Sequence, residues 1–310
     1  MTAHMNAMFN VNGRICRQED AVVSVLDHGF LYGEGVYEVC RTYHGRLFLF
    51  DRHLRRLRAS AGMLTLPVPF TNEEIAGHVD RTLSAAGLGR GEHAGPEAYL
   101  RLLLTRGVGE ISYDPSACQH PSFVVIVREH VPPPASVYER GVRVALVSVV
   151  RNHPGALDPL IKSNNLLNPA MAMQEALKRG AFEAVMRNHR GELAECSQSN
   201  LFVVRAGAVL TPPLGAGLLA GITREFLFEV GRDAGVPFSE ATLHDADLLA
   251  ADEAFLTSTT REIVSIVAVD DRTNGMGRPG PITRALLEAF RGRADALTRG
   301  GTGSQTPALA

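Results

Sequence analysis

The sequence predicts an α/β protein of two domains, and three observations carry that prediction. Stretches with the two-residue apolar alternation of strands are interleaved with stretches of helical period. Three consecutive prolines, Pro132 to Pro134, interrupt the pattern near its middle. Such a run fits neither a helix interior nor a central strand, so it marks a linker. The length, 310 residues, accommodates two cores at roughly 100–200 residues per domain. The expected division is a smaller N-terminal domain over 1–130, a linker over 131–140 and a larger domain over 141–297. The Gly/Ser/Thr-rich stretch 298–310 reads as a disordered tail.

The elements follow in order. AVVSVL, residues 21–26, reads as a buried strand leading into a turn at Asp27-His28-Gly29. GVYEVCRTYHGRLFLF reads as two strands around a turn at His44-Gly45-Arg46. In DRHLRRLRASAGML, Leu54, Leu57 and Ala61 recur at helical spacing. Thr71 caps the next helical segment, and Glu74 three residues on completes a capping box. EAYLRLLLTRG and SFVVIVRE read as strands. Beyond the prolines come the strand VRVALVSVV, a helix from Asn168 to Arg179 and the strands AFEAVMRN and LFVVRAG. The helix ITREFLFEVGRDAG and the strand EAFLTST complete the series.

Composition narrows the function classes. Apolar residues are 45% and charged residues 21%, which suits packed cores. A net charge of −2 without a basic stripe argues against nucleic acid and anionic membranes as partners. No apolar run approaches the ~18 residues of a membrane span, and the N-terminus lacks the pattern of a signal peptide. Cys16, Cys40, Cys118 and Cys196 are far apart, with no CxxC pair. They read as free thiols of a cytoplasmic protein.

One segment stands out for chemistry: SVVRNHPGALDPLIKSNNLLNPAMAMQEA. Lys162 follows a strand and a loop and precedes a helix, beside Ile161 and a Leu-rich stretch. Desolvation there would disfavour the ammonium and leave a neutral amine able to form a Schiff base.

Four separated motifs then occur in one order: I-K-S-N-N-L-L-N, L-A-E-C-S-Q-S-N-L-F, T-P-P-L with L-A-G-I-T-R, and F-L-T-S-T-T-R-E-I. D-H-G-F-L-Y-G-E-G-V-Y-E and D-R-H-L-R-R-L precede them. Over residues 8–290 this resembles the class IV (fold type IV) aminotransferases, which use pyridoxal 5′-phosphate (PLP). The family includes branched-chain aminotransferases, D-amino acid aminotransferases and aminodeoxychorismate lyases. The resemblance implies a large domain built as a pseudo-barrel, a homodimer, and amino acid and 2-oxo acid substrates. It also implies roles. Lys162 matches the lysine that holds PLP and moves the proton between substrate Cα and cofactor C4′. Glu195 matches the carboxylate that keeps the ring nitrogen protonated. Arg56, in the H-x-x-R-L pattern, matches the phosphate arginine. Gly221, Ile222 and Thr223 match the helix start at the phosphate, Thr259 a phosphate hydroxyl, and Leu219 the side chain packed on the ring.

The pocket motifs resemble branched-chain aminotransferases most. Tyr32, Tyr37, Tyr99 and Arg101 match residues of their substrate pocket, and Thr260 is expected beside them. The Arg-x-His carboxylate trap of D-amino acid enzymes is replaced by Ile111, Ser112 and Tyr113. Departures run the other way. Asn165-Leu166-Leu167 stands where branched-chain enzymes carry N-Y-L, and E-C-S-Q-S-N and T-S-T-T also differ from their forms. Y-E-V-C-R replaces their Y-E-G-I-R. The implied activity is ping-pong transamination between an L-branched-chain amino acid and 2-oxoglutarate. The alternatives are a D-amino acid or (R)-amine transaminase, an aminodeoxychorismate lyase, and a family member that has lost PLP.

Overall fold

Two β-sheets, one in each half of the chain, organise the computed structural model, which describes residues 7–88 and 96–299. The first half contains β1 (Met8–Val11), β2 (Arg14–Cys16), a one-turn helix α1 (His28–Leu31), β3 (Gly35–Tyr43) and β4 (Arg46–Leu47). Two helices, α2 (Phe50–Met63) and α3 (Asn72–Ala85), and two strands, β5 (Ala98–Thr105) and β6 (Ser122–Glu129), complete it. The strand order is β2-β1-β6-β5-β3-β4, with antiparallel neighbours throughout.

Strand β5 shows how the sequence divides the faces of this sheet. Ala98, Leu100, Leu102 and Leu104 are fully buried in the core that includes Leu54 and Leu57 of α2 and Ile75 and Val79 of α3. Each leucine so buried contributes roughly 1.5–3 kcal/mol. The intervening Tyr99, Arg101 and Leu103 face the other way, as the strand period requires. In register with them, β3 sets Val39 opposite Arg101 and Tyr37 opposite Leu103. A slip of one residue would exchange the faces and expose the leucines, so core burial fixes which side chains the open face presents. The expected capping box is present: Glu74 N donates to Thr71 Oγ1 (3.1 Å) and Thr71 N donates to Glu74 Oε2 (2.8 Å).

The second half contains α4 (Ala135–Arg140), β7 (Val142–Leu146), α5 (Leu167–Lys178), β8 (Glu183–Arg187), β9 (Leu193–Cys196), β10 (Asn200–Arg205) and β11 (Ala208–Thr211). It continues with α6 (Ile222–Asp233), β12 (Phe238–Glu240), α7 (Asp245–Leu249), β13 (Glu253–Ser258), β14 (Glu262–Val269), β15 (Arg272–Thr273) and α8 (Pro281–Arg299). The sheet runs β12-β11-β10-β13-β14-β7-β8-β9, with β15 paired to β14. Four strands separate β9 from β10 along this path, yet only residues 197–199 join them. A flat sheet would hold the two roughly 24 Å apart, whereas four residue steps reach about 14 Å. The sheet therefore curls into a half-barrel. Phe48, just after β4, ties the halves together, its ring 5.3 Å from Phe226 and 5.9 Å from Phe290.

Two sequence expectations change. AVVSVL forms no strand, and Val22, Val23, Val25 and Leu26 are exposed, because no strand among the described residues pairs with the segment. Residues 298 and 299, expected in a tail, belong to α8: Thr298 is buried and its hydroxyl donates to Ala294 O (2.7 Å). Residues 300–310 lie outside the described residues. Between the sheets, the segment after Pro132–Pro134 forms the short helix α4.

Candidate active site

A cavity of about 760 Å³ lies against the open face of the first sheet and is lined from both halves of the chain. That volume suits a small molecule or cofactor. Of the residues expected at a cofactor, Arg56, Lys162, Glu195 and Leu219 line it. So do Gly221, Ile222, Thr223 and Thr259. Of those expected at a substrate, Tyr37, Tyr99, Arg101 and Thr260 line it. Tyr32 does not: its ring packs on His28 (4.9 Å) and on exposed Tyr113 (5.1 Å).

Lys162 is delivered by a loop that docks on β3. Tyr37 N donates to Lys162 O (2.9 Å), Asn164 N donates to Gly35 O (2.9 Å), and Lys162 N donates to Ser60 Oγ of α2 (3.1 Å). The half-buried side chain places Nζ 4.5 Å above the Tyr37 ring. The 310-residue chain has only one other lysine, Lys178, exposed at the end of α5; arginine supplies the rest of its 31 strong bases. Guanidinium groups stay protonated in proteins, so an amine at this position has chemistry that arginine lacks.

Arg56 comes from α2. Its Nε and Nη2 donate to the two oxygens of Glu38 on β3 (2.7 and 2.8 Å), and Nη1 donates to Ala220 O (2.8 Å). Burial alone would raise the Glu38 carboxyl. Arg56 and then His53 outweigh it and hold the group well below the usual carboxylate range. Burial keeps His53 below the ordinary imidazole value, so the neutral ring donates from Nδ1 to Glu38 Oε2 (2.7 Å). A guanidinium has five N–H donors. With three engaged, two remain for an anion.

The same corner offers further donors. Gly221 caps α6, whose first-turn amides have no partners within the helix. A side chain at Gly221 would meet Asn200 Oδ1 at 1.9 Å, so any larger residue here must displace the Asn200 amide. Thr257 Oγ1 is buried without a hydrogen-bond partner among the described residues, on a residue that lines the cavity. Spare guanidinium donors, free helix amides and an orphaned hydroxyl suit a phosphate.

Glu195 lies near the end of β9 and is buried. Oε1 accepts from Arg151 Nε (2.8 Å), and Oε2 accepts from Leu219 N (3.1 Å) and Asn200 Nδ2 (3.4 Å). These donors support an ionised carboxylate at the cavity wall. Sequence reasoning missed Arg151, Asn200, Thr257, Glu38 and His53. His53, three residues before Arg56 and so on the same helix face, was the one visible signal. The others depend on strand register and loop packing.

Comparison with known proteins decides the family. Residues 35–269 match the model of amino-transferase class IV. The chain belongs to that family. A putative branched-chain-amino-acid aminotransferase of Methanocaldococcus jannaschii is 37% identical over 91% of this chain and 94% of its own. A D-alanine aminotransferase of Listeria monocytogenes is 34% identical over 90% and 93%. The structure of a branched-chain aminotransferase from Thermoproteus uzoniensis with norvaline superposes with a TM-score of 0.85, at 34% identity, covering 94% of this chain and 96% of that one.

This aminotransferase is PLP-dependent, as its family is, and its residues fit the cofactor. Arg56, the start of α6 and Thr257 suit the phosphate. Glu195 suits a protonated ring nitrogen, and Lys162 the carbonyl carbon. Bound there, PLP supplies the electron sink that stabilises the carbanion left when an amino acid Cα loses its proton.

Proposed function

We propose that the enzyme transfers amino groups between an L-branched-chain amino acid and 2-oxoglutarate in a ping-pong cycle. The observation that carries this reading is the setting of Arg101. Its guanidinium stacks 4.2 Å over the Tyr37 ring, half-buried, with no carboxylate partner among the described residues. Val39, Tyr37 and Tyr99 surround it on the cavity wall. An apolar and aromatic wall with one uncommitted cation accepts a branched side chain in one half of the cycle and a γ-carboxylate in the other. The branched-chain relatives support the same reading.

The residue roles follow from their chemistry. Lys162 Nζ holds the cofactor between turnovers, then takes the proton from the substrate Cα. Glu195 stays ionised opposite the ring nitrogen, and Arg56 with the α6 amides anchors the phosphate. Thr259 adds a phosphate contact, Leu219 packs on the ring, and Thr260 lies on the substrate side. Residues 1–130 and 141–297 act as small and large domains around the cavity.

The assembly in this reading is a cytoplasmic homodimer. Its support is an exposed apolar surface formed by Val22, Val23, Val25, Leu26, Phe30 and Tyr113, with loop 106–109 hydrogen-bonded to residues 26–28. Tyr32 belongs to this surface rather than to its own chain's cavity, so a role for it at a substrate requires the second copy. The four cysteines are unpaired, in keeping with a reducing compartment. No helix among the described residues is long and apolar enough to cross a membrane.

A D-amino acid preference is the second reading. Asn165 and Leu166 line the cavity without the tyrosine of branched-chain enzymes, and D-alanine aminotransferases are among the relatives. The substitution Arg101→Leu tests the proposal. It should raise KM for glutamate and 2-oxoglutarate by roughly 30-fold or more, since losing one side of a buried charge-assisted contact costs about 2–5 kcal/mol. Leucine kinetics should change little. Equal loss on leucine and glutamate would overturn the selective role. Conversion of D-alanine or (R)-1-phenylethylamine in preference to L-leucine would overturn the substrate class, and pyruvate elimination without an amino acceptor would indicate a lyase.

A further inference from the structure

The turn between β13 and β14 brings Thr259, Thr260 and Arg261 to the cavity wall, and its anchors lie outside the turn. On one side, Arg261 pairs with fully buried Glu183 (2.5 Å) and donates to Gln198 Oε1 (2.8 Å). The Arg261 carbonyl accepts from the Tyr138 hydroxyl of α4 (3.2 Å). On the other side stands Glu262, the first residue of β14. Its φ is +59°, in the left-handed region that side chains with a Cβ avoid. Outlying backbone of this kind persists where its surroundings over-determine it.

Those surroundings are three donors from two distant elements. Tyr43 Oη donates to Glu262 Oε1 (2.8 Å), and Arg41 Nη1 lies 3.4 Å from the same oxygen; both residues are on β3 of the first sheet. Arg291 Nε of α8 donates to Oε2 (2.7 Å). Glu262 is 4% exposed and does not line the cavity. Burial, and then the charge of Glu262, push the Tyr43 hydroxyl upward, so it remains a donor. The carboxylate therefore fastens one end of the cavity turn to the opposite sheet and to the C-terminal helix. We infer that Glu262 is a positioning residue: its anchorage to Tyr43, Arg41 and Arg291 sets the place of the Thr259–Arg261 turn and so the grip of the cavity on its ligands.

The inference rests on the reading that this cavity holds PLP beside an amino acid, but not on which amino acid that is. Its test is accordingly the dissociation constant of PLP from the apoenzyme, followed by absorbance, together with the thermal midpoint. Glu262→Gly removes the carboxylate while allowing the positive φ without strain. It should fold with a lowered midpoint, because buried Arg41 and Tyr43 lose their acceptor, and bind PLP at least tenfold more weakly. KM for the amino substrate should rise more than kcat falls when PLP is saturating. Tyr43→Phe, which removes one donor from the far side, should weaken PLP about threefold. A Glu262→Gly protein whose PLP affinity stays within twofold of the parent, whatever its midpoint, would overturn the inference. Should that variant not fold, an unchanged affinity in Tyr43→Phe would do the same.

Discussion

At Glu195, a carboxylate meets three donors from three parts of the chain: Arg151, Leu219 N and Asn200. Arg151 Nε donates to Oε1 at 2.8 Å, so the carboxylate is held in place by a charged partner. Glu195→Gln keeps the shape and loses the charge. The variant should still bind PLP through Arg56 and Lys162. Its half-reaction with amino acid should slow roughly 10–100-fold, corresponding to about 1.5–3 kcal/mol for a lost charge-assisted partner. Stopped-flow loss of the cofactor band measures this, and an unchanged rate would remove Glu195 from its role. The sequence displayed Glu195, Lys162 and Arg56 because each sits in a contiguous motif. Their partners were not legible. Glu38 meets Arg56 only through the packing of β3 on α2, and Arg151 meets Glu195 only after β8 and β9 pair. Tyr32 shows the reverse: its motif was legible, but a single chain does not bring it to its own cavity.

Among the elements, the legible ones were those whose pattern reports their own burial. The alternation in β5 and the box at Thr71 were readable because strand period and cap chemistry are local. AVVSVL looked like a strand because apolar composition does not distinguish a buried strand from an apolar surface segment. The C-terminal helix α8 and strand β14 escaped notice, although α8 buries Leu286 and Phe290 beside α6. The start of α6 carries a prediction of its own. Gly221 abuts Asn200, which also holds Leu219 O and touches Glu195. Gly221→Ala should displace Asn200 at a cost of about 1–3 kcal/mol for overpacking. Both thermal stability and PLP affinity should fall. Parent-like values for both would mean that the helix start tolerates a side chain and does not define the phosphate corner.

On the scale of the whole molecule, two sheets that share little sequence pattern enclose one cavity. Composition and the proline run pointed to a division near residue 130, and the sheets separate between Glu129 and Val142. The curl of the second sheet was not legible from its segments, because it follows from strand order, a property of the fold rather than of any one strand. The cavity gathers Arg56 from the first half, and Glu195 and the α6 start from the second, around Lys162. Since the chain has two lysines and one of them is exposed, the central claim reduces to a choice between Lys162, Lys178 and the N-terminal amine. Borohydride reduction of the PLP form followed by peptide mapping makes that choice directly. The expected product is a pyridoxyl adduct on Lys162 in the IKSNNLLN segment. An adduct on Lys178 or on the N-terminus, with Lys162 unmodified, would contradict it.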